Sequence, residues 1–155
     1  MVTPLKNRAS EEPEPEASPR YSATWDTTDT AITDARAAVR ALLARFGHQQ
    51  DARPSQDAQL VVSELVTNAV RHAPGPVGLA LELSPDAGLL RIAVSDSSPR
   101  PPEPREADPG RVGGHGLRLV VRLCGRLHTV ARESGKEVVV HLRLRGEEAP
   151  RREFR

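Results

Sequence analysis

One proline divides this chain by the rhythm of its apolar residues. Between Ala31 and Ala73 they recur at intervals of three and four, and directly after Pro74 they alternate. The first spacing is the stripe of an amphipathic helix, and the second is the face of a half-buried strand. Ile32, Ala35, Val39, Leu42, Leu43 and Phe46 predict a helix over residues 30–46, stopped by Gly47. Pro54 and Ser55 open a second helix through Leu60, Val61, Leu65, Ala69 and Val70. It must end by Ala73, because the residue before a proline avoids helical backbone. Residues 77–83 and 89–95 then read as strands around a turn at Pro85-Asp86-Ala87-Gly88.

The remaining elements complete a pattern. Residues 20–25 form a short extended segment, residues 116–123 a third helix, and residues 127–132 and 137–144 a hairpin about Ser134-Gly135. Strands joined by short turns pair antiparallel, and helices grouped beside them make a layered fold. The expected class is α/β: a two-layer α/β sandwich with a mixed, mainly antiparallel sheet and three helices on one face. The expected domain spans residues 21–145. It is flanked by a disordered N-terminal tail over 1–20, rich in proline and glutamate, and a frayed, charged tail over 146–155.

Composition narrows the function classes. Only 3% of the 155 residues are aromatic, so the core must be aliphatic, and stacking platforms for single-stranded nucleic acid are excluded. A formal net charge of +1 gives no field toward nucleic acid or anionic lipid. No apolar run reaches the length of a membrane span. A single cysteine, Cys124, rules out a disulfide within the chain and reads as a small core residue in a reducing compartment. The expectation is a cytoplasmic protein with neither nucleic-acid nor membrane partners.

Three stretches carry chemistry. On the second helix Glu64, Asn68, Arg71 and His72 lie at offsets of four, seven and eight, and so share a face. Asn68 offers Mg²⁺ a neutral oxygen beside substrate phosphates. Glu64, one turn earlier, can take a proton from a hydroxyl or water. An exposed polar face accounts for the same residues. The strand Arg91-Ile-Ala-Val-Ser-Asp96 ends on a carboxylate that can accept a proton of an exocyclic amine, or simply starts a turn. Gly113-Gly114-His115-Gly116-Leu117 precedes the third helix, where backbone amides and the helix dipole attract phosphate. No Lys-Ser or Lys-Thr pair follows, so it is not a P-loop, and no βαβ unit surrounds it, so it is not a dinucleotide fingerprint.

In this order, the three stretches resemble the N, first-glycine and second-glycine boxes of the GHKL ATPase superfamily. Glu64-Leu-Val-Thr-Asn68-Ala with a compact Gly-x-Gly-Leu box looks most like the bacterial anti-sigma-factor serine/threonine kinases. The resemblance implies ATP and Mg²⁺ as cofactors, Asn68 as the metal ligand and Glu64 as the catalytic carboxylate. It implies phosphate or nucleotide contacts from Arg71 and His72, although His72 reads equally as a cation closing the helix C-terminus. Asp96 would recognise adenine, and Gly113, Gly114, His115, Gly116 and Leu117 would form the second glycine box. Residues 97–113 would be a lid over ATP. The implied partners are a serine-bearing anti-anti-sigma protein and a sigma factor held by the same domain, and a homodimer is common among such kinases.

The chain departs from this pattern in two places. Ser98 stands where the first box has glycine, and Pro99 follows it. Glu137 replaces a threonine after Gly135-Lys136, so Lys136 reads as a turn or surface lysine. A protein serine kinase is the leading expectation. A regulatory module that binds ATP without transfer and a pure interaction domain are its rivals.

Overall fold

The computed structural model describes residues 18–98 and 116–144. Its elements run β1 (Arg20–Trp25), α1 (Ala31–Arg45), α2 (Arg53–His72), β2 (Val77–Leu83), β3 (Leu89–Asp96), α3 (Gly116–Cys124), β4 (His128–Arg132) and β5 (Gly135–Arg143). The expected two-layer α/β sandwich is the observed architecture. The five strands stand in the order β1-β2-β3-β5-β4, and every pairing is antiparallel. The chain leaves β3, passes through α3 to the far edge, and comes back as β5 to lie against β3. That return sets the end of β3 beside the start of β5.

Alternation decides which face the helices cover. Val77, Leu79, Leu81 and Leu83 on β2, Leu90, Ile92 and Val94 on β3, and Val138, Val140 and Leu142 on β5 all enter one core. They meet Ala35, Val39 and Leu43 of α1, Val61, Val62, Leu65, Val66 and Ala69 of α2, and Leu117 and Val120 of α3. The core is aliphatic, as the scarcity of aromatic residues requires. Truncating one of its leucines to alanine costs about 2–5 kcal/mol.

Local chemistry sets the helix ends. Asp34, in the first turn of α1, accepts hydrogen bonds from Trp25 Nε1 at 3.0 Å and Thr30 Oγ1 at 2.9 Å. This pins β1 to the helix start, where a carboxylate suits the dipole. Pro54 lies in the first turn of α2, where its missing N–H is no loss. At the other end Ala73 is extended, and its N–H donates to the Ala69 carbonyl at 3.1 Å. Pro74 then turns the chain into β2. The left-handed residue of the β2–β3 turn is Ala87, at φ 60°, and not the glycine that follows it. The Ala87 carbonyl lies 2.9 Å from His48 Nε2, which ties the α1–α2 connection to the hairpin.

The expected tails lie outside the described residues, apart from residues 18–20. So do residues 99–113 of the expected lid and three of the glycine-box positions, Gly113, Gly114 and His115.

Candidate functional site

The apolar stripe of α2 rolls Glu64, Asn68, Arg71 and His72 to one side of the helix, toward α3. Glu64 and Asn68 are half-buried, and Arg71 and His72 are exposed. All four, with Thr67 and Leu117, line a small hollow between α2 and α3. The second helix and the start of the third thus share one depression. Among the described residues, no hydrogen bond holds the side chains of Glu64, Asn68 or His72.

Gly116 is the tightest point of this contact. A β-carbon there would collide with Oε1 of Glu64. The carboxylate therefore lies against the first residue of α3, where backbone amides favour negative charge. Alanine at 116 would make the flexible end of the Glu64 side chain swing aside.

Asp96 and Ser98 sit elsewhere. Asp96 does not line the hollow. It ends β3, directly opposite Lys136 in the β3–β5 register. Lys136 Nζ lies 2.9 Å from Asp96 Oδ1 and 3.0 Å from Oδ2. Both side chains are 3% exposed. Oδ1 also accepts the Ser98 N–H at 2.8 Å, and the Ser98 carbonyl lies 3.3 Å from Lys136 Nζ. Ser97 Oγ donates to the Pro74 carbonyl just beyond α2, which clips the end of β3 to the end of that helix.

Lys136 corrects the reading of it as a turn or surface lysine. Strand alternation gives the reason. Residues opposite one another in an antiparallel pair share a face, so Lys136 joins Asp96 on the helix side. Glu137 points to the other face and pairs with Arg132. Glu137 therefore lies away from Asp96, and it is the neighbouring Lys136 that faces it. The signal lay in the sequence, in the counting of β5 against β3, but it required the register. Gly135 completes the arrangement. Its φ is 155°, and a β-carbon there would strike the Asp96 carbonyl oxygen, so only glycine lets β5 start this close to β3.

A Mg²⁺ ion fits these residues in a limited sense. Asn68 presents a half-buried amide to the hollow, without hydrogen bonds among the described residues. Among the described residues, no group of three or more His, Cys, Asp or Glu could hold a metal alone. A cation here would take one protein oxygen and draw the rest from phosphate and water, the usual habit of Mg²⁺.

Elsewhere, Arg36 and Arg40 converge on the buried Gln59 Oε1 at 3.5 and 3.2 Å, beside an open depression also lined by Gln50, Asp51 and Gln56. None of the residues singled out from the sequence reaches it. Cys124 is partly buried against the core, and burial first, then the nearby Asp57 carboxylate, push its thiol up to about 12. Among the described residues, no helix is long and apolar enough to cross a membrane.

A family model described as the histidine kinase-like ATPase domain matches residues 25–143. Among solved structures, the RsbU and RsbW domains of Rv1364c from Mycobacterium tuberculosis align with a TM-score of 0.58 and 22% identity. The match covers 81% of this chain and 32% of that one, so the chain spans about a third of that structure. The histidine kinase domain of the Erythrobacter litoralis EL346 blue-light activated histidine kinase aligns at 22% identity, with a TM-score of 0.43 and 71% and 61% of the two chains covered. The catalytic domain of histidine kinase ThkA aligns at 15%, with a TM-score of 0.46 and 82% and 99% covered. At 22% identity the likeness to the RsbU and RsbW domains is one of fold. A search of curated proteins gave no match.

Proposed function

The chain belongs to the histidine kinase-like ATPase domain family, and on that premise we propose that it is a Mg-ATP-dependent protein serine kinase of the anti-sigma-factor type. The observation that carries this reading is the hollow between α2 and α3, where Glu64 and Asn68 face the start of α3 at Gly116 and Leu117. A carboxylate, a neutral oxygen ligand and a helix N-terminus are the parts that phosphoryl transfer needs. Its chemistry is mostly positioning and charge neutralisation.

In this reading Asn68 would hold Mg²⁺, which when bound would neutralise charge on the phosphates. The amides at the start of α3, with Arg71, orient the phosphate chain. Residues 113–115 of the glycine box and the lid belong to the proposal alone. Glu64 accepts the proton of a serine hydroxyl brought by a partner protein. The serine oxygen bonds to the γ-phosphorus as the bond from that phosphorus to the β–γ bridging oxygen breaks, and ADP leaves. Asp96 reads the base from the end of β3. The acceptor serine would belong to an anti-anti-sigma protein, with a sigma factor as a second client, in the cytoplasm.

The test is twofold. Calorimetry with Mg-ATP measures binding, and single-turnover transfer of labelled γ-phosphate to a serine-bearing partner measures chemistry. A Glu64→Ala variant should keep ATP affinity and lose about 10²–10⁴-fold in transfer rate, the usual contribution of a general base. ATP bound tightly with no phosphate moved, by wild type under any partner, would select the non-catalytic module instead.

A further inference from the structure

We infer that Lys136 belongs to the base-reading site and donates a hydrogen bond to the purine ring, so that the nucleobase is read by an ammonium–carboxylate pair and not by a carboxylate alone. The inference rests on Asp96 reading the base, as proposed above.

The pair is a poor device for stability. Removing two charges from water costs several kcal/mol for each, and their attraction at best roughly offsets this. An apolar couple at the same register would fill the core as well. What the pair does supply is chemistry. Asp96 can only accept hydrogen bonds, and Lys136 can only donate them. Held 2.9 and 3.0 Å apart, they present an acceptor and a donor side by side. The Watson–Crick edge of adenine is the complement: an amine that donates, beside a ring nitrogen, N1, that accepts. A carboxylate alone can meet the amine and leaves N1 without a protein donor.

The ammonium has three N–H bonds, and the structure accounts for all of them. Two go to the oxygens of Asp96, and the third faces the Ser98 carbonyl at 3.3 Å, the longest of the three. That third bond is the one to be handed over. A base entering beside Asp96 would take it through N1 and release the Ser98 carbonyl. The bonds to Asp96 would remain, so neither charge would be left unpaired in the interior. Ser98 is also the place where the first glycine box departs from its pattern. The departure and the buried lysine therefore meet at one hydrogen bond.

The experiment compares Mg-ATP with Mg-1-deaza-ATP, in which N1 is replaced by C–H, by calorimetry on the full chain. One hydrogen bond to a charged group corresponds to about ten- to a hundredfold in affinity. Wild type should prefer ATP by that factor, Lys136→Arg should keep the preference, and Lys136→Met should bind the two nucleotides equally. An unchanged preference in Lys136→Met overturns the inference, as does tighter ATP binding by that variant, which would make Lys136 a plug. If Lys136→Met fails to fold, the nitrogen-15 signal of the buried ammonium in wild type decides. It should shift with ATP and differently with the 1-deaza analogue, and identical shifts would overturn the assignment. No heat from Mg-ATP on folded wild type would instead remove the base-site reading itself, and this inference with it.

Discussion

The two halves of the candidate site are finished to different degrees. On the α2 side, Glu64 and Asn68 are half-buried polar groups without hydrogen bonds among the described residues. At the β3–β5 joint, Asp96 and Lys136 are sealed to 3% exposure and satisfy one another and Ser98. Among the described residues, the first region leaves its polar groups open to solvent or a ligand. The second is complete as it stands, and a ligand there must exchange with bonds already made. The two should therefore answer differently to mutation: the first through chemistry, the second through folding.

The largest effect that would sharpen this contrast is at the joint. Lys136→Met leaves the Asp96 carboxylate buried without its countercharge, and stability should fall by about 3–5 kcal/mol in urea denaturation. A loss below about 1 kcal/mol, the size of an exposed ion pair, would mean that the joint is not sealed in solution. Next is Gly116→Ala, whose methyl group would overlap Oε1 of Glu64. Rotation of that carboxylate out of the way should cost about 0.5–1.5 kcal/mol, as a displaced rotamer does. An unaffected thermal midpoint would detach Glu64 from the start of α3. On the open side Asn68→Ala should stay within about 0.5 kcal/mol of wild type, as for a partly exposed side chain without hydrogen bonds among the described residues. A larger loss would break the comparison, because it would make Asn68 part of the scaffold.

At neutral pH the smallest effect lies away from both regions. The thiol of Cys124 is held at about 12, against an unperturbed value of 9.0. The folded state binds this proton more tightly than the unfolded state does. Its contribution is therefore intact below pH 9 and is lost as pH rises from there toward 12. Denaturation titrations should show that slope in wild type and lose it in Cys124→Ser. Alkylation of the native protein at pH 8 should be slow, because the thiolate is the nucleophile.

The fold was legible because each element announces itself locally. Pro74 ends α2, the alternation of Val77, Leu79, Leu81 and Leu83 fixes a strand and its inner face, and Gly47 stops α1. The shared face of Glu64, Asn68, Arg71 and His72 followed from helix geometry alone. Lys136 was not legible in this way. Its neighbours along the chain, Gly135 and Glu137, make it look like any lysine in a turn. Only the return of β5 against β3 sets it on Asp96, forty positions away, and pairing at that distance is a property of topology and not of local pattern. The left-handed Ala87 is hidden from local pattern too, since glycine is the usual choice for that conformation in a turn, and the Ala87 N–H closes the turn to Ser84 at 2.8 Å.

Gly135 decides more than the shape of a hairpin. Its single hydrogen lets the backbone at the start of β5 touch the backbone at the end of β3, with no room for even one carbon between them. The spacing of the charged pair is thus governed by an atom that is not there. Any longer side chain would act as a wedge, prising the two strands apart where ammonium and carboxylate meet. A sequence bearing another residue at this position, however well it kept every charged group, would lose the close pairing of ammonium and carboxylate.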